Sequence, residues 1–142
     1  MSKNGLMTNE PIKILIADND EMVLTNLERL LEDLGYTTTT AVSCQEVAAM
    51  LSRKSFDLMV LDDLFSDGDS AKVLMECCAS EHSPLVVVTY YHSPTQDTEA
   101  KLRSLGVSAF VNKRAHPELA EVVGYLLSPR PRWSDRVFDG MT

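Results

Sequence analysis

The sequence predicts an α/β fold: a single doubly wound, five-stranded parallel sheet in the order 2-1-3-4-5, with five helices. Three observations carry this expectation. Short β-branched apolar runs alternate five times with segments whose apolar residues recur at helical spacing. The runs are apolar at nearly every position, the pattern of strands buried on both faces. The five β-α units fall within residues 11–128, one domain's worth of chain. Right-handed crossovers then place helices on both faces of one sheet. This number of units fits the five-strand order better than the six-strand dinucleotide arrangement.

The first strand is read at Ile12–Ala17, broken by Asp18, Asn19 and Asp20. Val23, Leu27, Leu30, Leu31 and Leu34 form a helical stripe, which Gly35 stops at the C′ position. Tyr36–Val42 is β-branched and reads as the second strand. Ser43-Cys44-Gln45-Glu46 has the spacing of a capping box and opens the second helix. Phe56–Leu61 is the third strand, ended by Asp62-Asp63. Asp67–Ser70 reads as a turn before a helix marked by Ala71, Leu74, Met75 and Cys78. Pro84–Thr89 is the fourth strand. Ser93-Pro94-Thr95-Gln96 predicts an N-cap at Ser93 with Pro at N1. The helix after it is polar, and Gly106 ends it. Val107–Asn112 is the fifth strand, and His116 is expected to N-cap the last helix before Pro117.

Residues 1–10 read as a flexible lead without the apolar core of a secretory signal. Residues 129–142 read as a Pro/Arg-rich tail: a disordered segment, or a docking peptide anchored by Trp133 and Phe138. No apolar run reaches the eighteen or so residues of a membrane span, so a membrane partner is not expected. The net charge of −8 argues against nucleic acid as a partner. Three cysteines, two of them adjacent, suit neither a disulfide framework nor a zinc site and read as reduced thiols. His82, His92 and His116 share no metal-ligand spacing.

Sites in open parallel sheets form at the carboxyl ends of the strands. Here those ends carry Asp18-Asn19-Asp20, Asp62-Asp63, Thr89 and Lys113. Singly, each is an ordinary turn or capping residue. Together they bring carboxylates, a hydroxyl and an ammonium to one rim. Clustered carboxylates repel unless a hard cation such as Mg²⁺ neutralises them. A carboxylate there can attack phosphorus, and the lysine and hydroxyl can hold the transferring group.

These residues resemble the response-regulator receiver family of two-component signalling, whose fold is flavodoxin-like. The likeness covers roughly residues 11–128. Ile14–Glu21 looks like the family's first strand and acidic pair, Phe56–Asp62 like its phosphoacceptor strand, Val86–Thr89 like the strand ending in the switch Thr/Ser, and Gly106–Lys113 like the run ending in its lysine. The resemblance implies catalytic roles for Asp62, Thr89 and Lys113. It implies a Mg²⁺ site from Asp18, Asn19, Asp62 and the carbonyl of Leu64, and a switch formed by Thr89 and Phe110. It implies a cytoplasmic phosphoacceptor that is not an enzyme in its own right. The donor would be a histidine kinase or phosphotransfer protein, and the output a downstream effector protein. Partner exchange, or a homodimer, would use the face of the fourth helix, fifth strand and fifth helix.

Four departures shape the expectations. Asn19 replaces the second acid of the pair, which predicts weaker Mg²⁺ binding. Tyr90 follows Thr89 where a small residue is usual, which predicts a ring beside the phosphorylation pocket. Lys113-Arg114 replaces Lys-Pro, which predicts a trans peptide and a re-aimed lysine. Ser66 replaces a Pro after Asp62, and Asp63 reads as a turn residue or an outer neighbour of the metal. The alternative reading is a pseudo-receiver, the same fold used as a binding or dimerisation module without phosphorylation.

Overall fold

The structure is a computed structural model that describes residues 10–78 and 82–128. The expectations for residues 1–9 and for the 129–142 tail lie outside them. The elements run β1 (Lys13–Ala17), α1 (Glu21–Asp33), β2 (Thr37–Ala41), α2 (Cys44–Arg53), β3 (Leu58–Asp62), β4 (Leu64–Phe65), β5 (Gly68–Asp69), α3 (Ser70–Cys77), β6 (Leu85–Tyr90), α4 (Gln96–Ser104), β7 (Val107–Asn112) and α5 (His116–Leu127).

Five strands pair in parallel in the order β2-β1-β3-β6-β7, which is the expected 2-1-3-4-5 order. The apolar runs produce this because both faces of the sheet are covered. One layer gathers Leu15, Leu61, Val86 and Val88 with residues of α2, α3 and α4. The other gathers Ile14, Ile16, Val60 and Val87 with Leu24, Leu27 and Leu31 of α1 and Leu119 and Val123 of α5. Each fully buried Leu, Ile or Val contributes roughly 1.5–3 kcal/mol of transfer free energy.

The capping chemistry fixes most helix starts. Asp20 caps α1, accepting from the Met22 N–H at 2.9 Å and the Val23 N–H at 3.4 Å. The expected capping box at α2 forms in a shifted version: the Glu46 N–H donates to Ser43 Oγ (3.1 Å), while Glu46 Oε1 accepts from the Val42 N–H (2.8 Å), one residue before the cap. Gly35 (φ +97°) and Gly106 (φ +113°) follow α1 and α4 in the left-handed region that ends helices there. Two expected caps are corrected. Thr95, not Ser93, caps α4, accepting from the Thr98 N–H at 3.2 Å. His116 is the first residue of α5 and not its cap; Ala115 holds that position without a side-chain bond. In α3 the core residues are Val73 and Leu74, while Met75 is exposed.

The expected turn at Asp67–Ser70 is part of a hairpin, in which β4 and β5 pair antiparallel. Asp67 at its tip reaches α2, accepting from the Cys44 N–H at 2.9 Å and the Gln45 N–H at 3.1 Å. A second irregularity lies between β6 and β7. Val86 pairs with Val107 but Val87 pairs with Ala109, so Ser108 is an extra residue on β7. The Arg103 guanidinium Nη1 donates to the Ser108 carbonyl at 3.3 Å.

Candidate functional site

Three strand ends bring Asp18, Asp62 and Thr89 to one rim. Asp18 follows β1, tied by its N–H to the Ala41 carbonyl at 3.0 Å. Asp62 ends β3 and pairs in register with Thr89 of β6. All three are buried polar residues, at 1%, 2% and 1% exposure. Burial of this kind is costly unless each group finds a partner.

Lys113, just past β7, supplies the partner for both acids. Its Nζ lies 2.9 Å from Asp18 Oδ2 and 2.8 Å from Asp62 Oδ1. Asp18 Oδ1 accepts from the Asp20 N–H at 2.9 Å, so Oδ2 relies on the ammonium alone among the described residues. Burial pushes the Asp18 carboxyl up from its ordinary pKa, against the pull of Lys113. Burial also works against the Lys113 charge, but its hydrogen bonds to Asp62 and Asp18 outweigh this and hold its pKa above the usual lysine value. Two carboxylates thus share one ammonium, and the pocket keeps a residual negative charge. Thr89 Oγ1 is buried with no hydrogen-bond partner among the described residues. A buried hydroxyl without a protein partner is uncommon and marks this rim out from the rest of the core.

The lysine is not re-aimed. No cis peptide occurs among the described residues, so Lys113-Arg114 is trans as expected, and Lys113 still reaches both aspartates. The turn after β7 explains this. The Lys113 N–H donates to the Tyr90 carbonyl at 2.8 Å, and the Arg114 N–H to Asn112 Oδ1 at 2.8 Å.

A cleft of about 330 Å³ opens onto the rim, lined by Asn19, Asp62, Asp63, Leu64, Tyr91, His92 and Lys113. This corrects the expectation for Tyr90. The ring on the Asp62 cleft is that of Tyr91, 4.7 Å from Lys113 Nζ and 4.6 Å from the Arg114 guanidinium carbon. Tyr90 instead lines an adjoining cavity of about 300 Å³ with Phe110, Thr98, Lys101 and Leu102, and Asp63 lines both. Successive residues of a strand point to opposite sides, so extending β6 by one residue puts Tyr91, not Tyr90, over the lysine. His92 also lines the cleft, which no spacing rule in the sequence revealed. Asp63 is exposed, yet its pKa is pushed up to about 6 by partial burial and by the hydrogen bond it shares with Asp62.

Phe110 pairs with Val88, is partly buried, and carries the Arg103 guanidinium 5.0 Å from its ring centroid. Helix α4 beside it buries Leu102 alone, as its polar sequence leads one to expect. The Ser70 N–H donates to the Asp63 carbonyl (3.2 Å), so Leu64–Asp69 falls at a non-hydrogen-bonded position of the hairpin. The Leu64 carbonyl is thereby turned away from β5.

Comparison with known proteins agrees with this geometry. The family model for the response regulator receiver domain matches residues 14–123. The alginate biosynthesis transcriptional regulatory protein AlgB of Pseudomonas aeruginosa is 29% identical over 106 residues, covering 75% of this chain and 23% of that protein. The transcriptional regulatory protein ZraR of Escherichia coli O157:H7 is 30% identical over 95 residues, covering 66% of this chain and 22% of that protein. The chain therefore spans about a quarter of the length of these relatives. Among solved structures, a CheY-like receiver domain protein of Methanospirillum hungatei superposes with a TM-score of 0.76 at 20% identity, over 82% of this chain and 93% of that one. Chemotaxis protein CheY4 of Vibrio cholerae superposes with a TM-score of 0.77 at 16% identity, over 83% and 100%. With its strand order, its rim of Asp18, Asp62, Thr89 and Lys113, and a family match across most of its length, this chain belongs to the response regulator receiver domain family of two-component signalling.

Proposed function

We propose that residues 11–128 form a phosphoacceptor unit that takes a phosphoryl group onto Asp62 from a phosphohistidine of a histidine kinase or phosphotransfer protein. One observation carries this reading: Asp62, buried at the rim, is held by Lys113 at 2.8 Å and sits in register with Thr89, whose hydroxyl has no partner among the described residues. A phosphoryl group on Asp62 would offer acceptor oxygens to that hydroxyl and to the ammonium.

The donor set suits Mg²⁺. Asp18, Asp62, the Asn19 amide and the Leu64 carbonyl are all hard oxygen ligands, and the pocket's residual negative charge calls for a cation. No three acidic, His or Cys side chains converge as a cation cage among the described residues. The ion would therefore rest on two carboxylates, neutral oxygens and water. When bound, it would neutralise charge on the transferring phosphoryl oxygens.

The chain's own residues do the rest. Lys113 positions Asp62 through their ion pair, and the cleft admits the donor from the side of Tyr91 and His92. An Asp62 oxygen attacks phosphorus, the bond to the donor nitrogen breaks, and the imidazole keeps that electron pair. The added charge then draws Thr89 toward the phosphoryl group and biases Phe110 and the face of α4, β7 and α5 toward a new partner. A downstream effector or a second copy of the chain would read that face. Such a cycle places the protein in the cytoplasm, as a switch and not an enzyme with a substrate of its own.

Incubation with Mg²⁺ and acetyl phosphate, followed by intact mass, tests the reading. One phosphoryl adduct is expected, absent in Asp62→Asn. A folded protein that gains no adduct at high Mg²⁺ would instead establish the pseudo-receiver, a binding module without phosphorylation.

A further inference from the structure

The Asp62 cleft is lined by two carboxylates, Asp62 and Asp63, and its one ammonium is already shared between Asp62 and the buried Asp18. A phosphodonor is itself an anion, so the cleft interior opposes its approach. Lys113 has no charge to spare while it bridges Asp18 and Asp62. The next cation outward is Arg114. Its guanidinium carbon lies 4.6 Å from the Tyr91 ring centroid, and Lys113 Nζ lies 4.7 Å from the same centroid. The two cations are therefore within about one Debye length at ordinary ionic strength, roughly 10 Å.

The position is held from two directions. Asn112 Oδ1 accepts from the Arg114 N–H at 2.8 Å, while Asn112 Nδ2 donates to the Tyr91 carbonyl at 3.4 Å. One side chain thus ties the loop carrying the ring to the loop carrying the arginine. Arg114 is exposed and has no carboxylate partner among the described residues. Lying over a ring engages the face of a guanidinium and leaves its N–H edges open. Those edges are what hold phosphate oxygens in bidentate fashion. A surface cation–π contact accounts for roughly 0.5–1 kcal/mol of local order, and here it holds the guanidinium against a ring that itself lines the Asp62 cleft.

We propose that Arg114, set against the Tyr91 ring that lines the Asp62 cleft, is a positioning residue that recruits the phosphate group of the incoming donor. The inference rests on the phosphoacceptor reading above and adds to it a residue outside the rim. In the step it serves, Asp62 attacks phosphorus of acetyl phosphate, the P–O bond to acetate breaks, and acetate leaves with the electron pair. Arg114 forms no bond; it raises the local concentration of the dianion and aims it.

The test is the second-order rate constant for acetyl phosphate labelling by intact mass, at low and high salt. It is measured for wild type, Arg114→Ala and Arg114→Lys, with a thermal midpoint for each. Arg114→Ala is expected to lower the rate constant by about three- to tenfold at low salt and to flatten its salt dependence. Arg114→Lys restores most of both, and all midpoints stay within about 2 °C. A rate constant unchanged in Arg114→Ala overturns the proposal. So does Arg114→Lys no faster than Arg114→Ala, or a slower rate with a lowered midpoint and the wild-type salt dependence. A wild-type protein that takes no phosphoryl group overturns the phosphoacceptor reading itself and this inference with it, an outcome distinct from a labelled wild type with indifferent variants.

Discussion

Lys113 Nζ lies 2.8 Å from Asp62 Oδ1 and 2.9 Å from Asp18 Oδ2, with all three side chains at 5% exposure or less. One buried cation thus answers for two buried anions. Removing it leaves both carboxylates uncompensated, a change that costs about 3 kcal/mol or more. Lys113→Met is expected to lose that much stability at pH 7.5. The Asp18 pKa is already raised, and a raised acid stabilises the fold at low pH and loses that contribution as pH climbs through its folded value. The deficit of Lys113→Met should therefore shrink on going to pH 5, as the bare Asp18 carboxylate takes up a proton. Denaturant titrations of both proteins at the two pH values check this; an equal deficit at both would mean the carboxylates are not coupled to the lysine.

Tyr91, not Tyr90, covers the cleft beside Lys113. Tyr91→Ala should speed hydrolysis of the Asp62 phosphoryl group severalfold by admitting water, while Tyr90→Ala should change it far less. The decay of the adduct mass after removal of the phosphodonor measures both. A larger effect from Tyr90→Ala would place the wrong ring over the site.

Asn19 lines the same cleft and adds an oxygen without charge. Asn19→Asp should tighten Mg²⁺ binding by about tenfold, since a third carboxylate joins two that share one ammonium. Titration of Mg²⁺ against tyrosine fluorescence gives both affinities, and equal values would remove Asn19 from the metal's surroundings.

Asp67 tests the hairpin. Its hydrogen bond from the Cys44 N–H, and then that from the Gln45 N–H, hold its pKa below the ordinary aspartate range. A depressed acid contributes stability above its unfolded pKa of about 4 and loses it as pH falls through the folded value. Asp67→Asn should therefore be less stable than wild type at pH 7 and approach it below about pH 4. Thermal midpoints across that range follow the difference; a gap that widens on acidification would have the sign wrong.

Much of the fold was legible because two-sided burial writes itself into the strands. Ile14–Ile16, Leu58–Leu61 and Val86–Val88 are apolar at every position, and a helical stripe lies between each pair. The rim was legible because strand ends are where parallel sheets place chemistry. The hairpin was not, since two-residue strands carry no periodicity and Asp67-Gly68 reads as a turn either way. Tyr91 and His92 were missed for a related reason. They lie beyond the end of β6, and the sequence does not show that the strand's alternation carries on past Tyr90. The caps at Ser93 and His116 failed because Pro follows many polar residues: the cap lies two residues later, at Thr95, in one case and one residue earlier, at Ala115, in the other.

The extra residue at Ser108 divides β7 into two phases. Val107 and Phe110 pack toward the layer of α2, α3 and α4, although three positions apart, while Ala109 and Val111 pack toward α1 and α5. Strict alternation would have sent Val107 and Phe110 to opposite faces. An error in chain length at the start of β7 is therefore absorbed at the bulge, and Phe110 and Lys113 keep their registration with β6. The strand is built like a drive shaft with a slip joint: misalignment at the far end is not transmitted to the end that does the work.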